Sequence, residues 1–244
     1  VLVLFGESVR EYIVSAFDFR LRTFTTIKKL GAPMVVDVQS KLAKAVKLAD
    51  RNANAVSLIA VSKQQPEERI DSALEAGLRV FGENRVQEAQ GRWQPRLPSF
   101  PDLEWHLIGP LQSNKAGDAV ALFDIIHTMD RPKIARALKT EMDKQNRQLP
   151  CFIQVNTGDE TQKAGISPSE VLDFHHFCNS EIGLDITGLM CIPPIDEEAA
   201  MHFALLRTLA DKLSLSKLSM GMSSDYEEAI AFGATHIRVG SALF

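Results

Sequence analysis

The chain has 244 residues, 45% hydrophobic and 24% charged, enough to bury one sizeable core in either one large domain or two small ones. A net charge of −4 and a pI near 5.9 supply no electrostatic pull towards nucleic acid or an anionic membrane, and no apolar stretch reaches spanning length. Cys151, Cys178 and Cys191 form no CxxC pair and are odd in number, which argues against a disulfide framework and for a reducing, cytoplasmic setting in which they act as small apolar residues.

Residues 1–33 differ in character from the rest of the chain. They carry more bases (Arg10, Arg20, Arg22, Lys28, Lys29) than acids (Glu7, Glu11, Asp18), with Phe5, Phe17, Phe19 and Phe24 and a hydroxyl cluster at Thr23, Thr25 and Thr26. A basic, hydroxyl-containing leader fits an organelle transit peptide or an extension that never folds, so the domain is expected over 34–244.

Val35, Val38, Leu42, Ala45 and Ala49 recur at helical spacing and predict an amphipathic helix over 35–51. The apolar run Leu58–Val61, ending in Ser62-Lys63, predicts a strand over 57–62 buried on both faces, with Ile59, Val61 and Lys63 on one side. Pro66 with Glu67 and Glu68 opens a helix that Gly77 closes. Strands then alternate with helices: 78–81, 104–108, 124–127, 152–156, 184–189, 217–220 and 236–239 as strands, separated by helices over 83–93, near 114, 131–148, 168–180, 197–213 and 225–232. Eight strands alternating with helices, without repeat or linker, predict a single (β/α)8 TIM barrel. A doubly wound open sheet is the runner-up. The N-terminal helix is expected over the seam where strand eight meets strand one.

In such barrels the working face lies at the C-terminal ends of the strands, and phosphate commonly binds after strands seven and eight. Ser219-Met220-Gly221-Met222-Ser223-Ser224-Asp225 follows strand seven, with Ser224 and Glu227 at capping-box spacing, and Gly240-Ser241 follows strand eight. Arg238 shares a strand face with Gly240 and His236. Closure makes strand eight the neighbour of strand one, which is expected to bring Arg238 towards Lys63 and keep that amine neutral, as Schiff-base chemistry requires. A lysine at a strand end more often simply reaches into water, and Arg238 alone would read as a surface residue.

The segments Leu58–Lys63, Phe81–Glu88, Trp105–Lys115, Gly188–Met190, Leu218–Ser223 and Ile237–Ser241 together resemble the pyridoxal phosphate homeostasis protein family, over roughly 35–244. The resemblance implies the fold of the alanine racemase N-terminal barrel, with an extra N-terminal helix. It implies pyridoxal 5′-phosphate (PLP) held as an internal aldimine on Lys63, the phosphate held by Ser223, Gly240 and Ser241, and Arg238 facing the ring nitrogen. Asn84 and His106 match motif positions near the cofactor, and Lys163 matches a family lysine. The implied role is cytoplasmic: a monomer that buffers or delivers PLP to PLP-dependent apoenzymes, without established catalysis.

Arginine cannot support a proton on the ring nitrogen, so the ring would be a weak electron sink. A racemase also needs a second base, and the two tyrosines are Tyr12, in the leader, and Tyr226, expected on a helix surface. Two other readings stand beside the carrier: a PLP-dependent racemase-like enzyme acting on amino acids, and a cofactor-free Schiff-base aldolase using Lys63. His175 and His176 are adjacent on a helix and point apart, so no metal pair is expected.

Overall fold

The computed structural model describes residues 33–244; the expectations for the leader, including Tyr12, lie outside them. Residues 33–48 are helical (α1). The strands are β1 (Ser57–Val61), β2 (Val80–Glu83), β3 (Glu104–Leu107), β4 (Ile125–Met129), β5 (Cys151–Val155), β6 (Ile186–Cys191), β7 (Lys217–Ser219) and β8 (His236–Val239). They close in sequence order, every pair parallel, into a barrel in which β8 returns to β1. Between them lie α2 (Glu67–Glu75), α3 (Val86–Trp93), α4 (Ala116–Leu122), α5 (Pro132–Gln145), α6 (Val171–His176), α7 (Ala199–Lys212) and α8 (Tyr226–Ala231).

Local chemistry explains most boundaries. Pro132 opens α5, where its missing N–H costs nothing, and Asn146 closes it in the left-handed conformation. The helix predicted over 168–180 is shorter: α6 ends at His176 and continues as a π-helical turn, Phe177–Glu181. The stretch around Asn114 is a 3-10 turn, Ser113–Lys115, leading into α4. The expected Ser224–Glu227 capping box does not form. Asp225 is the residue before α8, and its Oδ1 accepts the Met222 N–H at 2.6 Å.

Two cores result. The larger lies between the barrel and its helices and includes Trp93, Phe123, Phe203 and, from α1, Val35, Val38, Ala45 and Val46. Arg51, just past α1, donates to the carbonyls of Ile230 and Ala234 and ties this segment to α8 and to the turn before β8. The smaller core, Ile125, Phe152 and Met190, lies inside the barrel. Cys151, Cys178 and Cys191 are buried free thiols, and burial raises the pKa of each. Among the described residues no helix is long and apolar enough to cross a membrane.

Candidate functional site

The β1 end is built around a buried carboxylate. β1 stops at Val61; Ser62 is buried and Lys63 follows in a turn, exposed to solvent. The predicted strand therefore ends one residue early, because the Gln65 N–H closes a turn onto the Ser62 carbonyl, with Gln64 at φ +59°. Glu83, on β2 and 1% exposed, accepts at Oε1 from Ser62 Oγ (2.6 Å), Arg92 Nη1 (2.9 Å) and Trp93 Nε1 (3.0 Å). Arg92 Nη1 also donates to the Ser62 carbonyl at 2.9 Å. The residue before Lys63 is thus held through both its side chain and its backbone. Sequence reasoning missed this clamp, because it placed Glu83 at the start of a helix over 83–93, whereas Glu83 ends β2 and α3 begins at Val86.

The loops after β7 and β8 meet. The Gly240 N–H donates to Ser223 Oγ at 3.3 Å, and the Arg238 N–H donates to the Gly221 carbonyl at 2.9 Å. Gly221 has φ +92°, and a side chain there would come within 2.7 Å of Ala229 Cβ and 2.9 Å of Tyr226 Cα, so only glycine lets the loop lie on α8. Ser223 and Gly240 are half-buried, and Ser241 is exposed beside them.

Arg238 is 4% exposed and points inward. Its Nη1 donates to Ser219 Oγ (2.7 Å) and its Nη2 to the Cys191 carbonyl (2.8 Å). Burial lowers its pKa, but a guanidinium remains charged. The register corrects one expectation: Arg238 sits opposite Ile59, four residues before Lys63, and its fork reaches across to β6 and β7. The strand runs two residues past Ile59, to Val61, and Lys63 lies beyond its end in the turn. Arg238 and Lys63 therefore face the same mouth from different depths rather than touching across one strand spacing.

Asn84 and His106 lie at different levels of the barrel. Asn84 lines a cavity of about 590 Å³ with Arg85, Gln87, Gln112, Lys115 and Arg131, where β2 and β3 end. Gly109 makes that junction possible, since a Cβ there would lie 2.3 Å from the Asn84 carbonyl oxygen. His106 is fully buried in the lower barrel, its Nε2 2.6 Å from Glu104 Oε1 and its Nδ1 2.9 Å from His127 Nε2. It reaches Arg238 only through other side chains. Lys163 pairs with Glu160 at 2.5 Å and lines a cavity of about 330 Å³ with Ile108, Gln154 and Ile192. Tyr226 is 4% exposed, so it is packed in the outer core rather than on the helix surface as expected. Its hydroxyl pKa is raised by burial. Among the described residues no group of three or more His, Cys, Asp or Glu side chains is arranged to hold a metal.

A profile of the alanine racemase N-terminal domain matches residues 38–244. The chain is 41% identical over 218 residues to a pyridoxal phosphate homeostasis protein of Pseudomonas aeruginosa, covering 87% of this chain and 94% of that one. It is 41% identical over 204 residues to the Vibrio alginolyticus protein of the same name, covering 80% and 88%. Among solved structures it superposes on PipY of Synechococcus elongatus with PLP bound, with TM-score 0.73 and 41% identity, over 83% of this chain and 99% of that one. The expected barrel and family are both found, and the chain belongs to the pyridoxal phosphate homeostasis protein family, built on the alanine racemase N-terminal barrel.

Proposed function

We propose that this protein binds PLP, holds it as a Schiff base on Lys63, and buffers or delivers it in intracellular vitamin B6 homeostasis rather than turning over a substrate. The observation that carries the reading is Arg238: a buried guanidinium that donates to a hydroxyl and a carbonyl, on the strand that ends in the Gly240–Ser223 contact and closes onto the strand leading to Lys63. Asp225 supplies an opposite charge nearby, and a guanidinium has five N–H donors, more than Ser219 and Cys191 use.

When bound, PLP supplies an aldehyde that an amine captures and a pyridine ring that withdraws electrons most strongly when protonated. The residues of this chain suit the holding and not the withdrawing. Lys63 presents an amine at the mouth on a backbone fixed by Glu83 and Arg92. The Ser223 hydroxyl, the Gly240 backbone and the Ser241 hydroxyl offer hydrogen-bonding groups to the phosphate, at the loops where such barrels commonly bind one. Arg238 lies deeper in the same mouth than Lys63, and it can donate to the ring nitrogen but cannot accept a proton from it. Tyr226, buried against the outer helices, is not placed to act as a second base. These features favour the carrier over racemase-like turnover.

The test is the absorption spectrum of purified protein reconstituted with PLP. A band that borohydride bleaches and that Lys63→Ala removes is expected; a wild-type protein that forms no such band overturns the reading. Exchange of α-protons on L-amino acids well above the rate with free PLP would replace the carrier with an enzyme. Transfer of PLP to an apo-transaminase faster than from free solution would support delivery.

A further inference from the structure

The barrel interior contains a continuous line of hydrogen-bonding side chains that ends on Arg238 and starts at the opposite mouth. Glu104 opens β3 at the lower rim, with its side chain 47% exposed. From its Oε1 the line runs to His106 Nε2 (2.6 Å), from His106 Nδ1 to His127 Nε2 (2.9 Å), from His127 Nδ1 to Ser219 Oγ (2.8 Å), and from Ser219 Oγ to Arg238 Nη1 (2.7 Å). Its links come from β3, β4, β7 and β8, and His106, His127 and Ser219 are fully buried.

Acceptor-only and donor-only ends fix the direction of such a line. A carboxylate accepts, so His106 Nε2 carries a proton; a guanidinium donates, so Ser219 Oγ accepts from Arg238. Three orders satisfy those ends. In the first, both imidazoles are neutral: His127 Nε2–H donates to His106 Nδ1, and the Ser219 hydroxyl donates to His127 Nδ1. Every donor and acceptor along the line is used. In the other two, one imidazole is a cation, either His106 with His127 protonated on Nδ1 alone, or His127 protonated on both nitrogens; in both, His127 donates from Nδ1 to Ser219, and the Ser219 proton loses its partner while fully buried. Leaving a buried donor unmade costs about 1–3 kcal/mol, and these two orders also put another cation into the interior that holds Arg238. The first order wins. Consistent with it, His127 is held well below the usual histidine range, by burial first and then by His106, His236, Arg238 and Lys217. Glu104 is held below the usual carboxylate range, chiefly by its hydrogen bond from His106.

We propose that Glu104 is a positioning residue for Arg238. Acting through His106, His127 and Ser219, it orders the hydrogen bonds so that the Ser219 proton is given to His127 and the Ser219 lone pairs face the guanidinium, and so holds Arg238 towards the cofactor ring from the opposite mouth of the barrel. The effect on the ring rests on PLP binding as proposed above, whereas the ordering of the line does not. The other titratable groups facing this line are Lys217 on β7, His236 on β8 and, at the Arg238 end, Cys191 on β6 and Asp225 before α8; Lys217 provides the control.

The ordering is read in the protein without PLP, from the nitrogen-15 chemical shifts of the imidazoles at neutral pH. Both His106 and His127 should be neutral with the proton on Nε2; a proton on Nδ1 of His127 overturns the proposal whatever the cofactor does. The consequence for Arg238 is read in PLP-loaded protein as the pH midpoint of the absorption band. Glu104→Leu, which leaves no acceptor for His106 Nε2, should move it by about 0.3 unit or more, a twofold change in the equilibrium, while Lys217→Met, which removes a charge at the same rim but off the line, should move it less. Equal and opposite shifts would reduce Glu104 to a through-space charge, and an unmoved midpoint in Glu104→Leu would remove its role; either result overturns the proposal. If wild-type protein gives no Lys63-dependent band, the PLP reading falls, and the imidazole shifts still decide the ordering.

Discussion

Inside one barrel, two kinds of filling lie side by side: Ile125, Phe152 and Met190 form an apolar cluster, while Glu104, His106, His127, Ser219, His236 and Arg238 form a polar one. The apolar cluster needs only shape, because burial of its surface is favourable by itself. The polar cluster must satisfy each donor and acceptor before it ceases to be a cost. Phe152 is the boundary between them, stacked on His127 (centroids 4.4 Å, planes 10° apart) and edge-on to His236 (5.1 Å). A protein that needed only stability could fill the whole interior as it fills the first part, so the polar part is where function is expected.

The largest break in this arrangement is Phe152→Ala. It removes a fully buried ring shared by both clusters, and a large-to-small change of this kind costs about 3–5 kcal/mol. Chemical denaturation measures it. A loss below about 1 kcal/mol would mean that the two fillings close over the gap and are not rigidly apposed.

Acid should strike the polar part next. Burial, with smaller contributions from His106 and Lys217, lowers the His236 pKa to about 3. In the unfolded chain the same imidazole titrates near its ordinary value of about 6.5. Between those values the unfolded state binds the extra proton, so the stabilisation is complete above pH 6.5 and is lost as pH falls towards 3, by up to about 1.4 kcal/mol per unit. His127 acts in the same direction. His236→Phe, which extends the apolar filling beside Phe152, should flatten the stability profile between about pH 7 and 5 by up to roughly 2 kcal/mol. An equally steep profile in the variant would show that His236 is not the group that acid finds.

Sequence reading recovered the barrel because each strand is a short apolar run between punctuating residues, and the periodicity of the outer helices is visible without neighbours. Lys63, Ser223, Arg238 and Gly240 stood out because closure places β8 beside β1. The depth of Arg238 did not, because register is set by pairing between distant strands: Ile59 meets Arg238, a fact present in neither segment alone. His106 was placed near the cofactor only by its match to a family motif position, and nothing in the sequence shows that its ring is turned to Glu104 at the lower rim. Glu83 was hidden for a related reason. A carboxylate in a strand shows its meaning only when Ser62 and the adjacent Arg92 and Trp93, from two other places in the chain, converge on it.

That convergence gives a smaller break. Glu83→Gln keeps an oxygen for Ser62 and Trp93 but removes the charge facing Arg92, which retains Glu67 as a second partner at 3.0 Å. The expected cost is about 1.5 kcal/mol, the scale of a hydrogen bond to a charged group. If the clamp serves Lys63, the same variant should also slow formation of the Lys63-dependent PLP band. A stability loss with unchanged band kinetics would make Glu83 a support of β2 alone.

The smallest expected change in stability belongs to the residue nearest the proposed chemistry. Lys63 is exposed, beyond the end of β1, so Lys63→Ala should alter the stability of PLP-free protein by no more than about 0.5 kcal/mol. In wild-type protein, PLP that binds only the folded state should raise the melting temperature, and in Lys63→Ala that rise should shrink because the covalent part of the binding is gone. Thermal melts with and without PLP on both proteins separate the two effects. Equal PLP-induced shifts would mean that the phosphate loops and Arg238 hold the cofactor without the amine, and would move the centre of the site from β1 to β7 and β8.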